Sequence, residues 1–181
     1  LANLARLPWR RVELLRGKDA NADALQRLGP RARLLHFAVH GVNDPSSPMD
    51  SALMLHDANG RPHPLPVWDI FERLRLHADL VVLAACDSAP GASIDDDGWL
   101  GLTRAFQFAG ARRVISALWS VDDAATASLM SDFHRRLASG VEPTLALAQS
   151  QRQMLLGGDA VVTDAARGVG GLSVAGALRR D

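Results

Sequence analysis

The sequence lacks the features that direct a chain to nucleic acid or to a membrane. Its 181 residues carry 20 basic and 20 acidic side chains, so the formal net charge is zero and no overall field attracts phosphate. No apolar stretch approaches the length of a membrane span, and no signal peptide is visible. The sequence therefore predicts a protein whose partners are neither nucleic acids nor membranes.

Cysteine is almost absent as well. Cys86 is the only one in the chain, so no internal disulfide can form, and neither a CxxC pair nor a Cys/His zinc spacing occurs. This usage is compatible with a reducing cytoplasm, where we expect the protein to be located. We expect neither a metal nor a cofactor. The first residue is Leu1 rather than methionine, and we expect the chain to be part of a longer protein.

Short apolar runs alternate with helical patterns along the chain. The runs predict strands at 34–39, 80–85 and 113–118, and the helical patterns cover 67–76, 99–109, 123–137 and 144–156. A βαβα order predicts an α/β fold with a mostly parallel sheet covered by helices on both faces. A small hairpin is expected around the turn at residues 57–60. No element is assigned after Gly158.

Two residues whose side chains could take part in catalysis follow the first two of these strands. His40 comes after the strand at 34–39, and Cys86 comes after the strand at 80–85. Ligands bind at the carboxyl ends of parallel strands, and a thiol beside an imidazole forms a nucleophile–base pair. Gly41 allows a substrate to approach the backbone closely and offers its N–H as a donor.

Each residue also has a simpler interpretation. His40 can be an ordinary loop histidine, and a lone cysteine often serves as a small buried hydrophobe. The polar residues that follow Cys86 favour a partly reachable sulfur instead. His36 shares the predicted strand face of His40, but the two lie four residues apart along the strand, which is too far for one metal ion.

A further polar group follows the third predicted strand. Trp119, Asp122 and Asp123 lie there, on the expected ligand-binding side of the sheet. An aspartate at a helix start is ordinarily a cap, which accounts for one of the two carboxylates and leaves the other for a pocket wall. The acidic run at residues 95–97 lacks the spacing of a calcium loop and is interpreted as solvated.

Four sequence blocks together resemble the CHAT domain. This family has a caspase-like fold related to separases, is known from bacteria and usually occurs beside tetratricopeptide repeats. The blocks occur in order and at plausible spacing: residues 36–41 (HFAVHG), 81–88 (VVLAACDS), 98–106 (GWLGLTRAF) and 109–123 (AGARRVISALWSVDD).

The resemblance implies a caspase-like three-layer α-β-α sandwich and a cysteine endopeptidase that cleaves a protein or peptide substrate. Carried over by position, His40 is the general base and Cys86 the nucleophile. The N–H groups of Gly41 and Cys86 form the oxyanion hole, and Asp122 and Asp123 help to shape the substrate pocket, which Trp119 borders. Upstream tetratricopeptide repeats or another partner are expected to activate the enzyme.

The resemblance weakens toward both ends of the chain. The family's terminal strand carries a His-Pro and a Trp-Ala-x-Phe motif, and residues 161–181 contain neither. We therefore expect a sheet that is incomplete at both ends, with residues 1–18 as an entering segment, 19–156 as the CHAT domain and 157–181 as a glycine-rich tail. The alternative function is a non-catalytic caspase-like interaction or regulatory module.

Overall fold

The computed structural model describes residues 11–84, 97–117, 123–156 and 171–176, and the side chains of 97–99, 123 and 171–176 are not part of that description. Its strands are β1 (Arg11–Arg16), β2 (Leu34–Ala38), β3 (Gly41–Val42), β4 (Ala52–His56), β5 (Pro62–Pro66), β6 (Leu80–Leu83), β7 (Val114–Ser116) and β8 (Gly171–Gly176). Its α-helices are α1 (Ala22–Leu28), α2 (Val67–Arg73), α3 (Asp97–Phe108), α4 (Asp123–Ala138) and α5 (Pro143–Leu155). Within these ranges, no helix has both the length and the apolar character needed to cross a membrane.

A five-stranded sheet in the order β1-β8-β2-β6-β7 forms the centre of the fold. Strands β2, β6 and β7 are parallel, and β8 lies antiparallel to both β1 and β2. Because β1 and β2 are both antiparallel to β8, they run in the same direction. Four of the five strands therefore share one direction, which confirms the prediction of a mostly parallel sheet.

The sheet is buried on both faces because its central strands are apolar on both faces. Leu35 and Phe37 of β2 pack into a core cluster with residues of α1, α2 and α3. Leu34, on the opposite face of the same strand, packs with Phe133 and Leu137 of α4. Successive strand residues point to opposite faces, so one apolar strand supplies both cores. The predicted three-layer α-β-α sandwich is confirmed.

The helix after the hairpin is shorter than its apolar pattern predicts. The pattern extends to Leu76, but α2 ends at Arg73 and Leu74 is already extended, with φ −85° and ψ 135°. The N–H of Leu76 donates instead to the carbonyl of Ala109, at 2.6 Å. A hydrogen bond to the end of α3 thus replaces the continuation of the helix and directs the chain into β6.

The glycine-rich tail contributes a strand that the sequence pattern does not indicate. Strand β8 pairs along its whole length with β1, from Arg11 opposite Gly176 to Arg16 opposite Gly171, and five of its residues also pair with β2. Glycine, alanine and serine have little intrinsic tendency to form strands, so the pairing on both sides is what stabilises this one.

The hairpin predicted around residues 57–60 is confirmed. Strands β3, β4 and β5 form a small antiparallel sheet, and β4 and β5 are joined by the expected turn. The Asp57 carboxylate accepts hydrogen bonds from the N–H groups of Asn59 and Arg61, and Gly60 has φ +80°. An aspartate followed by a glycine in the left-handed region is a common way to close such a turn.

Gly110 is the glycine whose replacement should destabilise the fold most clearly. It ends α3 with φ +116°, and an added Cβ would overlap the carbonyl oxygen of Leu76. We expect Gly110→Ala to lower the free energy of unfolding by roughly 2 kcal/mol or more, because both the backbone and its neighbour must shift. Gly17 has φ +51° with nothing within 4 Å of the added Cβ, so Gly17→Ala is the matched control. If urea unfolding showed that both variants lose the same free energy of unfolding, the predicted overlap at Gly110 would be contradicted.

Candidate functional site

The carboxyl ends of β2 and β6 lie side by side, and His40 follows the first of them. The parallel register pairs Leu34 with Leu80 and continues to Phe37 opposite Leu83. Beyond this pair, the N–H of Ala84 donates to the carbonyl of Phe37 at 2.8 Å. The two segments are therefore still hydrogen-bonded to each other where the strands end. The His40 side chain is exposed at this edge.

The backbone at residues 40–42 is held by the small sheet. The carbonyl of His40 accepts from the N–H of Met54 at 2.8 Å, and Gly41 lies opposite Leu53. This hydrogen bond identifies Gly41 and Leu53 as a non-hydrogen-bonded antiparallel pair. The N–H of Gly41 therefore points away from β4, while the flanking residues of the strand are fixed by it.

The loop that follows Gly41 is ordered by its own polar side chains. The Asp44 carboxylate accepts hydrogen bonds from the hydroxyl and N–H of Ser46 and from the N–H of Ser47. The Ser46 hydroxyl and these two N–H groups lower the pKa of Asp44 from its ordinary value. The hydroxyl of Ser51 accepts from the N–H of Asp44 and donates to the side-chain oxygen of Asn43. These contacts fix the chain beside the predicted base.

The remaining predicted site residues are not placed by the described part of the chain. Cys86, Trp119 and Asp122 lie outside the described residues, and of Asp123 only the backbone is described, as the first residue of α4. The structure thus brings together two strand ends and the backbone of His40 and Gly41. The Cys-His pair and the acidic pocket stay predictions.

A buried histidine pair lies beneath this edge. Nδ1 of His36 is 2.9 Å from Nε2 of His134 on α4, and the rings meet edge to face with centroids 4.9 Å apart. The two residues are 2% and 1% exposed. Strand β2 ends at Ala38, so the alternation that predicted a common face for His36 and His40 does not extend to His40.

His134 is the site residue that sequence reasoning missed. It lies on α4 between positions that share the helix face buried against the sheet: Met130, Phe133 and Leu137. Their spacing of three and four residues marks that face in the sequence, and His134 belongs to it. A buried polar residue on such a face requires a partner, and His36 is the one that the strand supplies.

Burial keeps both imidazoles neutral. Desolvation lowers the pKa of His134 from 6.5 to about 4. It also lowers the pKa of His36 well below its ordinary value, and repulsion from a protonated His134 ring acts in the same direction. Two neutral rings can share one N–H between them, as donor and acceptor. The pair therefore connects strand β2 with helix α4. Strand β2 leads to His40, and helix α4 begins at Asp123.

These features define a caspase-like α/β sandwich with a histidine at the carboxyl edge of its parallel strands. The family model that describes the CHAT domain matches residues 1–163, and the chain belongs to the CHAT domain family. The family expected from the four sequence blocks is therefore confirmed.

The chain is also similar to curated mammalian proteins. It is 38% identical over 79 residues to tetratricopeptide repeat protein 28 of Mus musculus and 34% identical over 79 residues to the Homo sapiens protein of that name. Each match covers 44% of this chain and 3% of the relative. These relatives agree with the expected association with tetratricopeptide repeats. The bacterial origin and the cytoplasmic location stay predictions.

The histidine pair makes the fold sensitive to acid. The unfolded chain takes up protons near pH 6.5 whereas folded His134 takes them up near pH 4, so stability is full above pH 6.5 and falls as the pH drops. From His134 alone we expect a loss of about 2 kcal/mol between about pH 7 and about pH 5, and His36 adds to it.

Urea unfolding at the two pH values measures this loss. Replacing both rings together, by His36→Leu with His134→Leu, should remove most of it, because no titrating group is then buried at this position. The exposed His63, changed to Gln, is the matched control and should retain the wild-type pH dependence. If the double variant lost as much stability between the two pH values as the wild type does, other titrating groups would be the cause.

Proposed function

We propose that the chain is the peptidase domain of a cysteine endopeptidase, with Cys86 as nucleophile and His40 as general base. The observation that carries the proposal is the register of β2 and β6, in which Phe37 lies opposite Leu83. His40 follows Phe37 by three residues, and Cys86 follows Leu83 by three residues. Neighbouring strands are about 4.8 Å apart, and the equal offsets of the two residues from a paired position support the proposal that their side chains meet beyond the strand ends.

The proposed reaction begins when His40 takes the proton of the Cys86 thiol. The thiolate attacks the carbonyl carbon of the scissile peptide bond, and the carbonyl oxygen becomes an oxyanion. His40 then gives its proton to the leaving amine as the carbon–nitrogen bond breaks, which leaves an acyl group on the sulfur. Water, deprotonated by His40, attacks this thioester and releases the acid product and the free thiol.

Gly41 supports the oxyanion site in this scheme. Its N–H points away from β4, and its neighbours on both sides are fixed by hydrogen bonds to that strand. A donor whose direction is fixed before the reaction stabilises developing negative charge without reorganisation. The N–H of Cys86 is proposed as the second donor.

The substrate pocket is proposed to have an acidic wall made by Asp122 and Asp123, beside Trp119. Helix α4 begins at Asp123, and in this proposal one of the two carboxylates caps the helix while the other faces the pocket. A carboxylate near the scissile bond favours a basic side chain before the cut through charge pairing. Control by adjacent tetratricopeptide repeats is proposed from the resemblance and from the names of the relatives.

Alkylation of Cys86 tests the dyad directly, because the chain has no other thiol. We expect iodoacetamide to label the wild-type chain at about pH 6 at least tenfold faster than the His40→Gln variant, since the imidazole keeps part of the thiol ionised. His63→Gln, at an exposed position, should label as the wild type does. Equal rates in all three chains would contradict the dyad and favour the non-catalytic module.

Cleavage of a peptide library tests the reaction and the pocket. We expect cuts after arginine or lysine, and no cleavage by Cys86→Ala, which leaves the strands unchanged. Asp122→Asn and Asp123→Asn together should reduce the preference for a basic residue by roughly tenfold, because the wall loses its charge. A library profile with acidic residues before the cut is the result that the proposed pocket does not allow.

A further inference from the structure

Several arginines lie together at the amino ends of the parallel strands, which form the edge of the sheet opposite His40. Three connections enter β2, β6 and β7 there, and backbone hydrogen bonds hold them side by side. The N–H of Asp79 donates to the carbonyl of Arg33, and the N–H of Arg112 donates to the carbonyl of Ala78, at 2.8 and 2.9 Å. The arginines in these connections, here called the basic edge, are Arg31, Arg33, Arg75, Arg112 and Arg113.

Among the described residues, two carboxylates form ion pairs with arginines of the basic edge. Asp79 is shared by Arg33, at 2.6 Å, and Arg112, at 3.7 Å, and Glu142 in the connection between α4 and α5 lies 3.5 Å from Arg113. The side chains of Arg112 and Arg113 are 75% and 51% exposed. Two carboxylates beside five guanidinium groups leave an excess of positive charge at this edge within the described part of the chain.

An aromatic pair with one exposed ring adjoins the basic edge. Phe108, the last residue of α3, is 69% exposed and meets the ring of Phe71 with centroids 5.2 Å apart. The guanidinium of Arg75 donates to the carbonyls of Phe71 and Leu74, which places it beside this pair. Large exposed apolar side chains next to arginines are typical of protein interfaces.

Helix dipoles account for only part of the basic edge. Basic side chains are favoured in the last turn of a helix, and Arg27, Arg73 and Arg135 occupy such positions here. Within the basic edge, Arg31 ends a short 3₁₀ helix (Gly29–Arg31), and Arg75 donates to carbonyls at the end of α2. The effect falls off beyond the last turn, so it does not explain Arg33, Arg112 and Arg113, which lie in the connections past the helix ends.

We propose that the basic edge and Phe108 form a docking surface for an acidic segment of a partner protein that carries an apolar side chain. The guanidinium fork pairs with carboxylates in a bidentate geometry, and Phe108 offers a contact for the apolar side chain. Asp79 and Glu142 interrupt the positive surface, which disfavours a continuous phosphate backbone relative to a peptide. Binding here leaves the His40 edge of the sheet accessible.

Fluorescence anisotropy of the full chain with a labelled Glu-rich peptide that contains one leucine tests the proposal. Changing Arg31, Arg112 and Arg113 to Gln together keeps the ion pair of Arg33 with Asp79 and should raise the dissociation constant about tenfold or more. The matched control changes three exposed arginines elsewhere to Gln: Arg16, Arg61 and Arg152. Arg16 ends β1 at the opposite edge, and we expect this control to bind as the wild type does.

The apolar contact has its own pair of variants. Phe108→Ser should weaken binding about fivefold, whereas Leu155→Ser, at a position 86% exposed on α5, should leave it unchanged. Three results would overturn the proposal: no peptide binding by the wild type, equal binding by both arginine triple variants, or no effect of Phe108→Ser. A labelled RNA of equal charge that binds more tightly than the peptide would assign the surface to nucleic acid instead.

Discussion

The parallel pairing of β2 with β6 is the contact on which the rest of the molecule depends. Both strands are buried on both faces, so each contributes apolar side chains to the two cores at once. Their register fixes which residues leave the sheet together at its carboxyl edge, and their preceding connections meet at the amino edge. A shift of one residue would turn His36 away from His134 and into the opposite apolar core, where it would lose its partner, so the register is specified by this pair.

The sequence predicted the parts of the fold that depend on strong local patterns. The strands around Phe37 and Val82, the hairpin and the long helices have clear apolar periods and well-defined ends, and the structure contains them. Strand β8 was missed because its residues carry no such pattern and its stability comes from neighbours distant in sequence. The early end of α2 was missed for the same reason, since a contact with α3 decides it.

The candidate site was predicted in part, and for similar reasons. His40 stands at an exposed strand end, as its position after an apolar run indicated. The partnership of His36 with His134 joins residues 98 apart in sequence, and no local spacing reveals such a pair. The orientation of Gly41 depends on β4, which the sequence placed in a hairpin but not against residues 41 and 42.

Strand β8 also has a consequence for the order of folding during synthesis. It lies between β1 and β2, so β1 joins the sheet only after residues 171–176 have left the ribosome. Pairing of β2, β6 and β7 involves residues 34–116 and can precede it. Contacts between distant parts of a chain form slowly because a long loop must first close. Strand β1 is therefore made before β2, β6 and β7 but is paired after them, and until then β2 exposes an open edge on which another chain can add.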